Sequence, residues 1–159
     1  MTAPGQGFEA ATGDGPAIGD PAARAGELRT AYEGLLQIRR LMNAGAGAGV
    51  PAAWELRQMP RAVALVLEAA GIAPSAVDAR GRRTHTGYRV APAADPGRVE
   101  VTWLGPPGGG AAEEEQERLT ACAAALERMG WECLLYRGPR RRRFLEVEPA
   151  GPKSVSPQR

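Results

Sequence analysis

Lysine, histidine and cysteine are nearly missing from this chain of 159 residues: Lys153 is its only lysine, His85 its only histidine, and Cys122 and Cys133 its only thiols. No Cys or His stands at metal-ligand spacing, so no metal site is expected. Two reduced, packed thiols fit an intracellular chain, with a disulfide between them left open. Long apolar runs are absent as well. No stretch approaches the ~18 apolar residues needed to span a bilayer, and no basic segment followed by an apolar run opens the chain, so a soluble cytoplasmic protein without membrane contact is expected. Net charge is also scarce, at +2. No global field would gather a polyanion, and any electrostatic function has to be local.

What is abundant is glycine (21) and proline (14), together with alanine and arginine. This skew is that of a GC-rich coding sequence, so arginine counts are discounted before they are read as binding signals. The length is that of one ordinary domain with one core.

Residues 1–19 are Gly, Ala, Pro and Thr around a single large apolar residue, Phe8, too little to offset the entropy of ordering, and they read as a disordered tail. Residues 20–72 read as helical. Asp20-Pro21 is a capping pair, and Leu28, Ala31, Leu35, Ile38 and Met42, widened by Tyr32, form an apolar stripe on a first helix to about Asn43. That stripe demands cover from the sheet, or from a partner at Leu28, Tyr32, Leu35, Ile38 and Met42. Alternating Ala and Gly from Ala44 to Gly49 make a flexible connector or helix stop. Pro51 and Pro60 can each open a short helix, the second closed by Gly71. A helix-turn-helix would need an exposed base-reading face, whereas Ala62 to Leu67 is continuously apolar and points to burial.

Residues 73–84, with Pro74, Asp78, Gly81 and Arg80, Arg82 and Arg83, read as an exposed linker. Residues 85–149 carry the folded unit. Tyr88 and Val90, then Val99, Val101 and Trp103, alternate about the Asp95-Pro96-Gly97 turn as a hairpin with one apolar face. Leu119, Cys122, Ala123, Leu126 and Met129 recur every three or four residues on a helix that opens on Glu113, Glu114, Glu115 and Glu117 and is closed by Gly130. A second hairpin follows through Trp131–Tyr136 and Arg142–Glu148, and 150–159 reads as another disordered tail. The expected class is α+β: N-terminal helices, then a ββαββ unit forming a four-stranded sheet with one helix packed on a face, a β-grasp-like order being one possibility. With a four-residue connection, Leu134, Tyr136, Leu145 and Val147 share one face of the second hairpin, and Trp131, Cys133, Leu135 and Phe144 the other. Both faces are then apolar.

The sharpest motif is Arg137-Gly-Pro-Arg140-Arg141-Arg142-Arg143 at the tip of that hairpin. A β-ribbon with a basic tip can track phosphates or enter a groove. A solvated turn, with Arg142 or Arg143 paired to Glu132 or Glu100, is the plainer reading. Arg80, Arg82 and Arg83 strengthen the nucleic-acid reading if the fold brings them to the same place. Gly105-Pro-Pro-Gly-Gly-Gly110 lacks the Lys-Ser/Thr ending of a phosphate loop and runs into glutamates that repel phosphate, so no nucleotide cofactor is expected there. His85 is a surface residue at a strand start, Glu146 and Glu148 lack an acceptor, and Trp54, Trp103 and Trp131 sit in apolar phases as core anchors. No catalytic set, cofactor or small-molecule substrate emerges. The expectation is a small non-enzymatic binding or adaptor protein acting through protein contact, self-association included, with nucleic-acid binding by the basic hairpin tip as the alternative.

Overall fold

Asp20 starts the first helix: its carboxylate accepts the N–H groups of Ala22 (3.1 Å) and Ala23 (3.3 Å), and Pro21 supplies the preset φ of a first helical residue. The structure, a computed structural model, describes residues 7–138, 140 and 142–151. Helix α1 (Pro21–Met42) buries Ala31, Leu35 and Arg39 along one stripe and packs on α3. The Ala–Gly run stops it and closes a short 3-10 turn at Gly47–Gly49, held by Asn43 Nδ2 donating to Val50 O at 2.9 Å. Helices α2 (Ala53–Arg57) and α3 (Met59–Ala69) follow, and Gly71, at a φ of +84°, ends the pair. Every residue from Ala62 to Glu68 is buried. Helix α3 is therefore the centre of the core and has no face to offer to a groove.

The linker expected at 73–84 holds a small two-stranded sheet, β1 (Ala76–Val77) with β2 (Arg83–His85). The main sheet is β3 (Gly87–Pro92), β4 (Val99–Leu104), β5 (Trp131–Arg137) and β6 (Arg143–Pro149), antiparallel in the order β3-β4-β6-β5, with α4 (Ala111–Glu127) crossing between β4 and β5. The ββαββ unit and its α+β class are those that the element order implies. One face meets α3 and α4: Tyr88 pairs with Trp103, Val90 with Val101, Val101 with Leu145 and Val99 with Val147, all buried against Leu67, Leu119, Cys122 and Leu126. Each such side chain contributes roughly 1.5–3 kcal/mol, which makes this layer the main stabilising term.

The second hairpin departs from the four-residue expectation. Arg137 pairs with Arg143, so five residues lie between the paired ends, and Arg140 adopts a φ of +61°. One extra residue in the connection reverses the facing of every β6 side chain. The physical reason lies in β4: Leu145 and Val147 must meet Val101 and Val99 over α4, which leaves Phe144 outward with Leu134 and Tyr136, and Leu135 and Cys133 inward. On the outward face of β4, β5 and β6 no described residue is buried, and on β3 only Gly87 is, against the 73–75 segment.

The N-terminal expectation is corrected as well. Residues 7–19 form an ordered strap along β3, not a disordered tail. Val90 N–H donates to Thr12 O (2.7 Å), Val77 N–H to Gly15 O (2.9 Å) and the buried Tyr88 phenol to Ala11 O (2.7 Å). Glu68, bound by Arg24, accepts Ala11 N–H (3.0 Å), and Arg24 also reaches Glu9 O (2.7 Å) and stacks on Phe8 at 4.4 Å. Composition counted apolar side chains, whereas this segment is held by backbone groups that a sheet edge and two buried side chains satisfy. The parts of the two expected tails at 1–6 and 152–159 lie outside the described residues.

Candidate functional site

The Gly105–Gly110 loop, the first turn of α4 and the tip of the β5–β6 hairpin enclose a cleft of about 820 Å³. Gly110 enters α4 at a φ of +82°, a conformation that favours glycine, without a side-chain cap. Arg83, Arg140, Arg142 and Arg143 all line this cleft. The two arginine clusters therefore meet in part: Arg83 joins the tip, while Arg80 and Arg82 lie on the β1–β2 turn, Arg137 is exposed on β5, and Arg141 lies outside the described residues.

The cleft is not uniformly basic, because Glu113 and Glu115 share its wall. Glu115, only 4% exposed, accepts the backbone N–H of Arg143 at 3.0 Å and pairs with its guanidinium at 3.6 Å. This replaces the expected pairing of Arg143 with Glu132 or Glu100, which point to the outward face while Arg143 points to α4. Arg83 is held by Gly13 O and by Asp14 Oδ1 at 2.6 Å, and Arg89 binds the same carboxylate at 2.8 Å. Burial pushes the Asp14 carboxyl upward, and the hydrogen bonds and charges of Arg83 and Arg89 outweigh it, holding the carboxyl below its usual range. Among the described residues, Arg140 and Arg142 show no ion pair and remain the available cations.

A second feature lies on β5, the outer strand of the sheet. Leu134, Leu135 and Tyr136 follow one another and are 52%, 42% and 42% exposed. Tyr136 stacks on Phe144 at 5.5 Å, so the outward face has an apolar area beside the edge, and Glu132 and Arg137 bracket the strand. The opposite edge is closed: β3 gives Val90 N–H to Thr12 O and Tyr88 N–H to Ala73 O (3.0 Å). A sheet that seals one edge and leaves a long apolar strand on the other presents a template for further pairing. The alternation of apolar residues was legible in the sequence. The exposure was not, because it depends on β5 being outermost.

The stripe offered as a partner surface on α1 is mostly used inside the chain. Leu35 is fully buried, Leu28, Tyr32 and Ile38 are half-buried, and the Tyr32 hydroxyl donates to Met129 Sδ at 3.1 Å; Met42 is exposed beside Leu41. Burial pushes the thiols of Cys122 and Cys133 up to about 12, so both free cysteines are poor nucleophiles at neutral pH. His85 is exposed, with Nδ1 at 2.9 Å from Thr84 Oγ1. Trp103 and Trp131 are buried, and Trp54 packs at the edge of the core. Among the described residues, no helix is long and apolar enough to cross a membrane. Comparison with family models, with curated proteins and with solved structures finds no match.

Proposed function

We propose that this chain is a small non-enzymatic binding protein that holds a partner polypeptide along β5 by strand addition. The supporting observation is the run Leu134-Leu135-Tyr136, exposed on both faces of the edge strand of a sheet whose other edge, at β3, is closed by residues 12 and 73 of the same chain. An added strand would draw affinity from main-chain hydrogen bonds and selectivity from alternate side chains on the two faces. Leaving such an edge bare carries an aggregation hazard that a binding role explains. A photoreactive side chain placed at position 136 in the source cell should trap one defined polypeptide, and adding Leu134→Lys should cut that product about ten-fold. No defined product, or a product indifferent to Leu134→Lys, would remove the reading.

A second reading, contact with nucleic acid at the hairpin tip, draws support from the meeting of Arg83 with Arg140, Arg142 and Arg143. It ranks second because Glu113 and Glu115 occupy the same cleft and two of these arginines already have carboxylate partners. Titration with single-stranded and duplex DNA at two salt concentrations tests it. Arg140→Ala with Arg142→Ala should flatten the dependence of log affinity on log salt by roughly two phosphate contacts' worth. An unchanged slope would sink this reading.

A further inference from the structure

We infer that the occupant of β5 is the β5 strand of a second copy of this chain, paired antiparallel about a two-fold axis at Leu134. This inference rests on the strand-addition reading above and names its partner. Gly138 N–H donates to Arg142 O (2.6 Å) and Ala150 N–H to Gly130 O (3.0 Å), so the even-numbered residues of β5 turn their amides and carbonyls toward β6. Antiparallel pairing alternates, and Trp131, Cys133, Leu135 and Arg137 therefore turn theirs to the open edge.

A two-fold axis through the sheet keeps inward residues with inward and outward with outward. In the register centred on Leu134, Trp131 falls opposite Arg137 and Cys133 opposite Leu135, so each edge-facing residue finds a hydrogen-bonding partner. Leu134 meets its own copy on the outward face, where β4, β5 and β6 bury no residue, and the apolar area of Leu134, Tyr136 and Phe144 continues across the seam.

Charge selects the direction. Glu132 lies at one end of the strand and Arg137 at the other. Antiparallel pairing sets the Glu132 carboxylate against the Tyr136 hydroxyl of the second copy, both on the outward face, and carries the two arginine-bearing tips to opposite ends of the seam. A parallel pairing would instead set Arg137 against Arg137 and bring the two basic tips together. Growth also ends at two copies. The β3 edge is occupied by residues 12 and 73 of the same chain, so the assembly closes as a dimer with one continuous sheet.

The test is light scattering of the full chain across a concentration series, with two variants. Wild type should pass from monomer to dimer mass as concentration rises. Leu134→Lys, at a half-exposed site, should remain monomeric at concentrations about ten-fold above the wild-type midpoint while unfolding at the urea midpoint the wild type shows where it is monomeric. Leu134→Cys should form a disulfide-linked dimer on mild oxidation, because residues opposed in a non-hydrogen-bonded pair stand about 4.5 Å apart at Cα, within disulfide reach; Leu56→Cys, equally exposed elsewhere, should not. A wild-type monomer throughout, or a dimer that survives Leu134→Lys, overturns self-pairing. If the chain is monomeric while position 136 still traps a different polypeptide, self-pairing falls and the strand-addition reading stands. If position 136 traps nothing, both fall.

Discussion

Arg39→Ala is expected to lower the stability of the fold by about 3–5 kcal/mol, seen as a reduced urea midpoint at unchanged slope. The Arg39 and Glu55 side chains are both 0% exposed and meet bidentately, Nε to Oε2 at 2.8 Å and Nη2 to Oε1 at 2.7 Å. The remaining Nη1 donates to Ala48 O and to Met129 O, each at 2.9 Å, and Glu55 also accepts Ala52 N–H at 2.9 Å. One guanidinium thus ties α1 to α2, to the Gly47–Gly49 turn and to the end of α4. Removing it leaves a fully buried carboxylate with no cation and takes a donor from two half-buried carbonyls. Domains of this size have about 5–15 kcal/mol in total, so the variant should be close to unfolding at body temperature. Arg39→Met combined with Glu55→Leu should recover a large part of the loss, since no buried charge is then unpaired, although Ala48 O and Met129 O still lack this donor and Ala52 N–H loses its acceptor. A loss below about 1 kcal/mol in Arg39→Ala would show that solvent reaches Glu55 and that the network is not sealed.

Gly130→Ala should cost about 2–5 kcal/mol, from two causes that can be separated. Gly130 closes α4 at a φ of +85°, where a Cβ is strained whatever the surroundings. Its added Cβ would also lie 2.4 Å from Gly49 O, 3.0 Å from Val50 Cα and 3.1 Å from Pro51 Cδ, all in the turn that Arg39 holds. Gly97 has nearly the same φ, +82°, with nothing within 4 Å of an added Cβ. Gly97→Ala should therefore lose only the conformational part, roughly 1–2 kcal/mol. Thermal or urea unfolding of the two variants together measures the contact term by difference. Equal losses would mean that the 44–51 segment moves aside freely, contrary to its anchoring by Asn43 and Arg39.

Residues that miss their sequence expectation do so for one of two reasons. The phase of β6 was read from a hairpin considered alone, but the register is set by a third strand, since Val101 and Val99 of β4 require Leu145 and Val147 over α4. The strap at 7–19 and the Glu115–Arg143 contact depend on partners 15 to 78 positions away. Arg39 was passed over although it carried a local sign: it falls four residues after Leu35 and eight after Ala31, on the buried stripe of α1, and a charge in that phase signals a buried partner. Arg83 joining the hairpin tip had no comparable local sign.

The sequence by itself determined about where the helices and the four strands of the main sheet start and stop and which class they assemble into. Asp20-Pro21, Gly71, Gly130 and the alternation on both sides of Asp95-Pro96-Gly97 act within a few residues of themselves, and that is the range over which capping, φ preference and side-chain period operate. Tertiary structure alone decided the register of β6, the docking of the strap, the sealed Arg39–Glu55 pair and the position of β5 at the rim of the sheet with Leu134, Leu135 and Tyr136 in solvent. Each of these is a question of which distant backbone or charge satisfies a given group, and pairing across space leaves no period along the chain from which it could be read.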